Sequence, residues 1–232
     1  MMTKTTLTLA ALALAFVPAT SQADDVTDFV KRLKGNVKSE AKSRFSSSSS
    51  NRGSSSTNAS SKTSRPSSST SVKTRSLSYS SGSVPTSVRR AASQNKVGLN
   101  SSRGGGARLS YAVDSQSKIS RDDILFRKGS TEFADRYSRE IVRDLACAMQ
   151  DPALQGMQFV IEGHASADGS YGKNLDLSQR RAERIISEMI RLGVDPYSLI
   201  AVGYGESEAI YDSYSPETLL SQDRKVVVYR MD

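Results

Sequence analysis

Residues 159–182, FVIEGHASADGSYGKNLDLSQRRA, constrain this chain more than any other stretch. They read as a strand, a glycine-punctuated loop and the first turns of an amphipathic helix. Phe159, Val160 and Ile161 are aromatic or β-branched, the side chains a buried strand accommodates best. Gly163, Gly169 and Gly172 then let the backbone turn where a Cβ would clash. Helical spacing resumes near Asn174. At 100° per residue, Ala182, Ile185, Ile186, Met189 and Leu192 share one face of that helix. Arg180 points away from this face and reads as a solvated charge. Arg181 lies on its edge, one turn from both Leu177 and Ile185, and a guanidinium beside a core requires an acceptor. Asp168, Glu162 and a ligand carboxylate are all candidates. Loop and helix start together predict a small anion-recognising pocket.

Gly163, His164, Gly169, Asn174, Leu177, Ser178, Arg181 and Ala182 fall at the spacings of a pattern G-H-T-D-x-x-G-x-x-x-x-N-x-x-L-S-x-x-R-A. On these positions the stretch resembles the core motif of the OmpA-like, peptidoglycan-binding domain family. The run from Ile124 to Phe133 is similar to that family's opening strand and helix entry, with Arg127 where an aspartate is usual. Further on, Gly203-Tyr204-Gly205-Glu206 and Asp223-Arg224-Lys225-Val226 are similar to its G-Y-G-E and N-R-R-V-E segments. The resemblance covers about half of the chain.

The resemblance implies non-covalent binding of the diaminopimelate in peptidoglycan stem peptides. The family's arginine, which holds a ligand carboxylate, maps onto Arg181, and its asparagine onto Asn174. Its aspartate, which holds the ligand ammonium, maps onto Ser166, so Asp168 is the candidate substitute. The family's basic pair maps onto Arg224 and Lys225. Gly163, His164, Gly169, Leu177 and Ala182 are expected to shape the motif, His164 by satisfying loop backbone groups.

The rest of residues 118–232 reads as one domain, long enough for one core. Strands are expected at 123–127, 157–163, 199–205 and 223–229, helices at 131–150 and 174–192, and a turn-rich excursion at 213–222. In the first helix Phe133, Tyr137, Ile141, Leu145 and Met149 recur at four-residue steps and predict a core-facing stripe, with Cys147 off its centre. Gly193 suits the C-cap of the second. The order β-α-β-α-β-β predicts an α/β sandwich, with two helices on one face of a mixed sheet.

The first half is different in kind. Residues 1–23 have the layout of a secretory signal peptide: Lys4, an apolar run from Leu7 to Val17, Pro18, and Ser21-Gln22-Ala23 as the cleavage site. The mature chain is expected to begin at Asp24, exported and periplasmic. Residues 24–45 carry Val26, Phe29, Val30, Leu33 and Val37 at helical steps, a short amphipathic segment with no core of its own. Residues 46–103 hold 24 serines, and the whole of 46–117 is expected as a disordered basic linker. Residues 24–117 carry 16 Lys and Arg against 5 Asp and Glu, while 118–232 carry 15 against 19. The basic character therefore belongs to the arm, which is the candidate contact for an anionic surface or for outer-membrane and other envelope proteins.

One cysteine and one histidine exclude an intrachain disulfide and Cys- or His-rich metal sites. No cofactor is expected. Ser166, His164 and Asp168 lie close in sequence, but adjacency in one loop is not triad geometry, and no G-x-S-x-G elbow is present. The arm lacks the interleaved aromatic residues of a nucleic-acid stacking platform. The expected protein is a non-enzymatic, cell-wall-associated binder of peptidoglycan. The alternative is a protein–protein interaction module on a degenerate OmpA-like fold, whose arm meets anionic membrane or another polyanion.

Overall fold

The computed structural model describes residues 20–34, 72–80, 82–101 and 103–232. Most of the expected signal peptide and the serine-rich residues 46–71 lie outside them. In chain order the elements are α1 (Thr20–Lys34), β1 (Val72–Tyr79), α2 (Thr86–Ser93), β2 (Gly98–Ser101), β3 (Ala107–Asp114), β4 (Ile119–Arg121), α3 (Arg136–Met149), β5 (Phe159–His164), α4 (Tyr171–Arg191), β6 (Leu199–Gly205), α5 (Glu217–Asp223) and β7 (Val226–Arg230).

Residues from 118 onward follow the expected β-α-β-α-β-β order, with α5 added before the last strand. Their sheet runs β4-β7-β5-β6. β5 and β6 are parallel, and β7 is antiparallel to both β5 and β4. Phe159, Ile161, Leu199, Ala201, Val226 and Val228 point to one face and pack with Ile141, Leu145, Ala182, Ile185 and Met189. This alternation is what a period of two imposes on a strand covered by helices.

Within the stretch expected as linker, β1, β2 and β3 instead form a second, antiparallel sheet in the order β1-β3-β2. Serine content misled because the apolar residues alternate with it. Leu77 and Tyr79 in β1, and Leu109, Tyr111 and Val113 in β3, all turn inward. They meet Val160, Ile200, Val202, Tyr204, Val227 and Tyr229, the face of the four-stranded sheet away from α3 and α4, with Val88 and Ala91 of α2 alongside. A bridge between Val113 and Met231 connects the two sheets.

Three smaller expectations also change. The first strand lies at Ile119–Arg121, not 123–127; Phe126 makes only a single bridge to Phe133, with the rings 5.1 Å apart. α3 begins at Arg136 because Asp135 caps it, accepting from the Ser138 amide at 2.7 Å. Tyr137 is 54 % exposed, since four-residue steps drift about 40° per turn and carry the stripe off the core. The short segment preceding the linker also has a core after all. Phe29 and Leu33 of α1 are buried among the residues of the α3 and α4 layer.

Candidate functional site

β6 runs against α4 at very short range. A Cβ at Gly203 would meet the Gln179 amide nitrogen at 2.3 Å, so only glycine permits the approach. β6 is the edge of its sheet, and α4 satisfies its free backbone groups: Gln179 Oε1 accepts from Gly203 N at 2.7 Å and Ser178 Oγ from Gly205 N at 2.8 Å. Past this contact the strand ends, the loop 165–170 and the first turns of α4 diverge and leave a cavity of about 440 Å³.

All five residues expected to bind ligand line this cavity: Ser166, Asp168, Asn174, Arg181 and Arg224. Gly163, His164 and Leu177 line it as well. Gly169 and Ala182 do not; Ala182 is on the core-facing side of α4, and Gly169 turns the loop at φ +134°. Lys128, Glu217 and Lys225 complete the charged lining.

Arg181 has neither of its proposed internal acids. Its Nε donates to the Ser130 carbonyl at 3.1 Å, and Nη2 lies 3.4 Å from the Arg127 carbonyl. Its guanidinium stands 5.0 Å from the Phe126 ring centre. No carboxylate pairs with it among the described residues. Burial, and secondarily the charge of Arg224, lower its pKa below the usual arginine value. Arg180, by contrast, is exposed and pairs with Asp176 one turn away at 2.7 Å.

The acids on the opposite wall are already engaged. Arg224 donates to Glu217 and, at 3.1 Å, to Ser166 Oγ, and lies 3.9 Å from Asp168. Ser166 Oγ in turn donates to Asp168 Oδ1. The Asp168 carboxylate therefore sits beside the motif position that Ser166 occupies. Asn174 Nδ2 donates to the Ser166 carbonyl at 3.1 Å and to Glu206 Oε2 at 2.5 Å, which holds the loop to the turn after β6. Ser166, His164 and Asp168 form no relay, because the imidazole faces elsewhere.

His164 was expected to satisfy loop backbone, but its ring stacks on Tyr204 with centroids 5.2 Å apart. Its Nε2 is 3.5 Å from Glu162 and its Nδ1 4.0 Å from Glu208, contacts too long to be hydrogen bonds. Glu162 belongs to Arg75 of β1, which reaches it at 2.9 Å through Nε and 2.5 Å through Nη2. Tyr111 also donates to Glu162, at 2.5 Å. Burial pushes the Glu162 carboxyl up, but the hydrogen bonds from Arg75 and Tyr111 and the charge of Arg75 outweigh it and hold the group below its ordinary value.

Glu217, Lys128 and the Arg75–Glu162 pair escaped the sequence reading. Ser215-Pro216-Glu217 is a helix-start signature that could have placed Glu217 at the head of α5. Nothing local to Arg75 signalled a buried partner 87 residues away. Among the described residues, no group of three or more His, Cys, Asp or Glu could hold a metal ion, and no helix is long and apolar enough to cross a membrane.

Residues 125–219 match the model of the OmpA family, and over them the chain carries an OmpA-like domain. It is 29 % identical over 87 residues to the peptidoglycan-associated lipoprotein of Pseudomonas aeruginosa, covering 38 % of this chain and 51 % of that protein. It is 42 % identical over 53 residues to the outer membrane porin F of Pseudomonas fluorescens, covering 23 % and 16 %. The chain thus spans about half the length of the first of these relatives and less than a fifth of the second. Among solved structures, the peptidoglycan-associated lipoprotein from Burkholderia pseudomallei is similar with a TM-score of 0.42 at 22 % identity, over 48 % of this chain and 89 % of that one. The periplasmic domain of Helicobacter pylori MotB gives 0.41 at 20 %, over 53 % and 75 %.

Proposed function

We propose that this protein binds peptidoglycan without covalent chemistry, through the cavity between β5, α4 and β7, and acts as a wall-bound tether in the periplasm. The observation that carries this reading is Arg181. A half-buried guanidinium that uses only backbone carbonyls keeps most of its charge uncompensated, which favours an incoming carboxylate. A stem-peptide carboxylate, such as that of diaminopimelate, supplies it. Asp168, brought against Ser166, takes the ligand ammonium in place of the motif aspartate. Asn174, at the start of the helix that carries Arg181, fixes the loop that presents Asp168. The similarity to a peptidoglycan-associated lipoprotein supports the same ligand. Binding rather than catalysis fits a pocket whose serine and histidine are turned to separate partners.

The test is sedimentation of the full chain with purified peptidoglycan sacculi. The wild-type chain is expected in the pellet, released by competing diaminopimelate-containing muropeptide. Wild-type chain left in the supernatant at all sacculus concentrations overturns the proposal.

A further inference from the structure

Arg75 lies in β1, fifty residues before the first one that matches the OmpA family. It is nonetheless tied to the pocket by two routes. Its Nε and Nη2 hold Glu162, which has no solvent exposure and stands one residue before Gly163 and two before His164, both of the cavity wall. Its Nη1 and Nη2 hold Glu208 at 2.6 and 3.2 Å. Glu208 shares the turn after β6 with Glu206, whose carboxylate binds the Asn174 amide, and that amide holds the Ser166 carbonyl. The guanidinium is itself fixed, lying 4.5 Å over the Tyr204 ring.

We propose that Arg75 is a positioning residue for the pocket: through Glu208 and Glu162 the three-stranded sheet sets the turn 206–208 and the loop that carries Ser166 and Asp168. The geometry supports it because the side-chain links are charged or amide hydrogen bonds between groups held by different elements, β1, β5, the turn after β6, α4 and the loop after β5, and the backbone of that turn joins Glu208 to Glu206. A rigid fork that reads two carboxylates at once fixes their separation. Asn174 can then keep both its bonds only while Glu206 stays where Arg75 and Glu208 place that turn. The three-stranded sheet becomes part of the binding device rather than a cover for the apolar face.

For its binding readout this inference rests on the pocket being a peptidoglycan site. Glu208→Gln is the informative variant, since that side chain is 41 % exposed and its change leaves the Glu162 pair intact. Arg75→Lys keeps the charge but loses the fork. Both are measured in the full chain for sacculus affinity, for unfolding midpoint and for the Asn174 side-chain amide resonance. Glu208→Gln is expected to weaken binding roughly two- to thirtyfold and to shift that resonance, with the unfolding midpoint unchanged. Arg75→Lys is expected to weaken it too, and the double variant to lose less than the two losses combined. Wild-type affinity and an unmoved Asn174 resonance in Glu208→Gln, in a protein whose Arg181→Ala variant has lost binding, overturn the positioning role alone. If the wild-type chain does not bind sacculi, the ligand reading falls. The Asn174 resonance then decides the coupling: a shift in Glu208→Gln supports it and no shift overturns it.

Discussion

Gly163 faces Ser178 so closely that a Cβ on the glycine would come within 2.3 Å of the serine carbonyl oxygen. The contact is with backbone of a long helix, which cannot swing aside as a flexible side chain does. β5 and α4 are therefore in register only with glycine at this position, and the pocket lies where the two diverge. Gly163→Ala is expected to cost about 1–3 kcal/mol or more of stability in urea unfolding. A stability equal to wild type would mean that α4 can slide along the sheet, which the close approach at Gly203 also argues against.

Helix α1 belongs to the core. Leu33 has no exposure and Phe29 only 4 %, and Arg230 Nη1 donates to the Lys34 carbonyl at 2.8 Å, holding the helix end. Leu33→Ala is expected to lower stability by about 2–5 kcal/mol. Arg32→Ala, which breaks only an exposed pair with Asp28, should change it by less than about 1 kcal/mol. Equal, small effects in chemical denaturation would show that the helix docks too weakly to count as part of the domain. A chain beginning at Asp24 keeps both apolar anchors.

The Glu162 carboxyl predicts an acid-dependent term. Its folded pKa lies below the ordinary 4.5, so the native state binds fewer protons than the unfolded chain. Its stabilising effect is complete above the unfolded value and is lost as pH falls through the lower folded one. Glu162→Gln leaves the Arg75 guanidinium buried without its main counter-charge, a change expected to cost about 3–5 kcal/mol at neutral pH. The gap between wild type and variant should narrow steadily as unfolding is measured from pH 5 downward, roughly the window this shift defines. A gap that stays constant to about pH 3 would place the loss in packing instead of charge.

The strand–loop–helix centre of the domain was legible because its signals are local. Phe159 to Ile161, the glycines and the 3.6-residue spacing after Asn174 each report on neighbours a few residues away. So was the convergence of Ser166, Asp168, Asn174, Arg181 and Arg224, though only through the resemblance, since nothing in spacing joins residue 224 to residue 166. The sheet of β1, β2 and β3 was hidden under its serines. Yet Arg75, Leu77 and Tyr79 alternate with Thr74, Ser76 and Ser78, as Leu109, Tyr111 and Val113 alternate with Arg108, Ser110 and Ala112. A period of two with small polar residues outward is a half-buried strand, and composition averages that pattern away. The partner of Glu162 could not be read at all, because an ion pair between layers depends on a tertiary contact that neither local sequence encodes.

The pocket gives the sharpest prediction, because two adjacent arginines have opposite circumstances. Arg181 is half-buried and bound only to the carbonyls of Ser130 and Arg127, whereas Arg180 is exposed and paired with Asp176. Arg181→Ala should weaken sacculus binding roughly ten- to a hundredfold, the effect of losing a partly buried, charge-assisted contact. Arg180→Ala should bind as wild type. Neither guanidinium answers a buried carboxylate, so both variants should keep their unfolding midpoints. That separates a lost ligand contact from a damaged fold. Asp168→Ala examines the other end of the ligand. Its carboxylate accepts from Ser166 Oγ and lies 3.9 Å from Arg224, so removing it takes away the acceptor proposed for the ammonium while Arg224 keeps Glu217 and Ser166. Weaker binding of muropeptides with a free diaminopimelate amine, with no loss for amine-acetylated ones, would place the ammonium at Asp168. Equal losses for both would assign Asp168 to loop support, and an Arg181→Ala variant that sediments with sacculi like wild type would remove the carboxylate site itself.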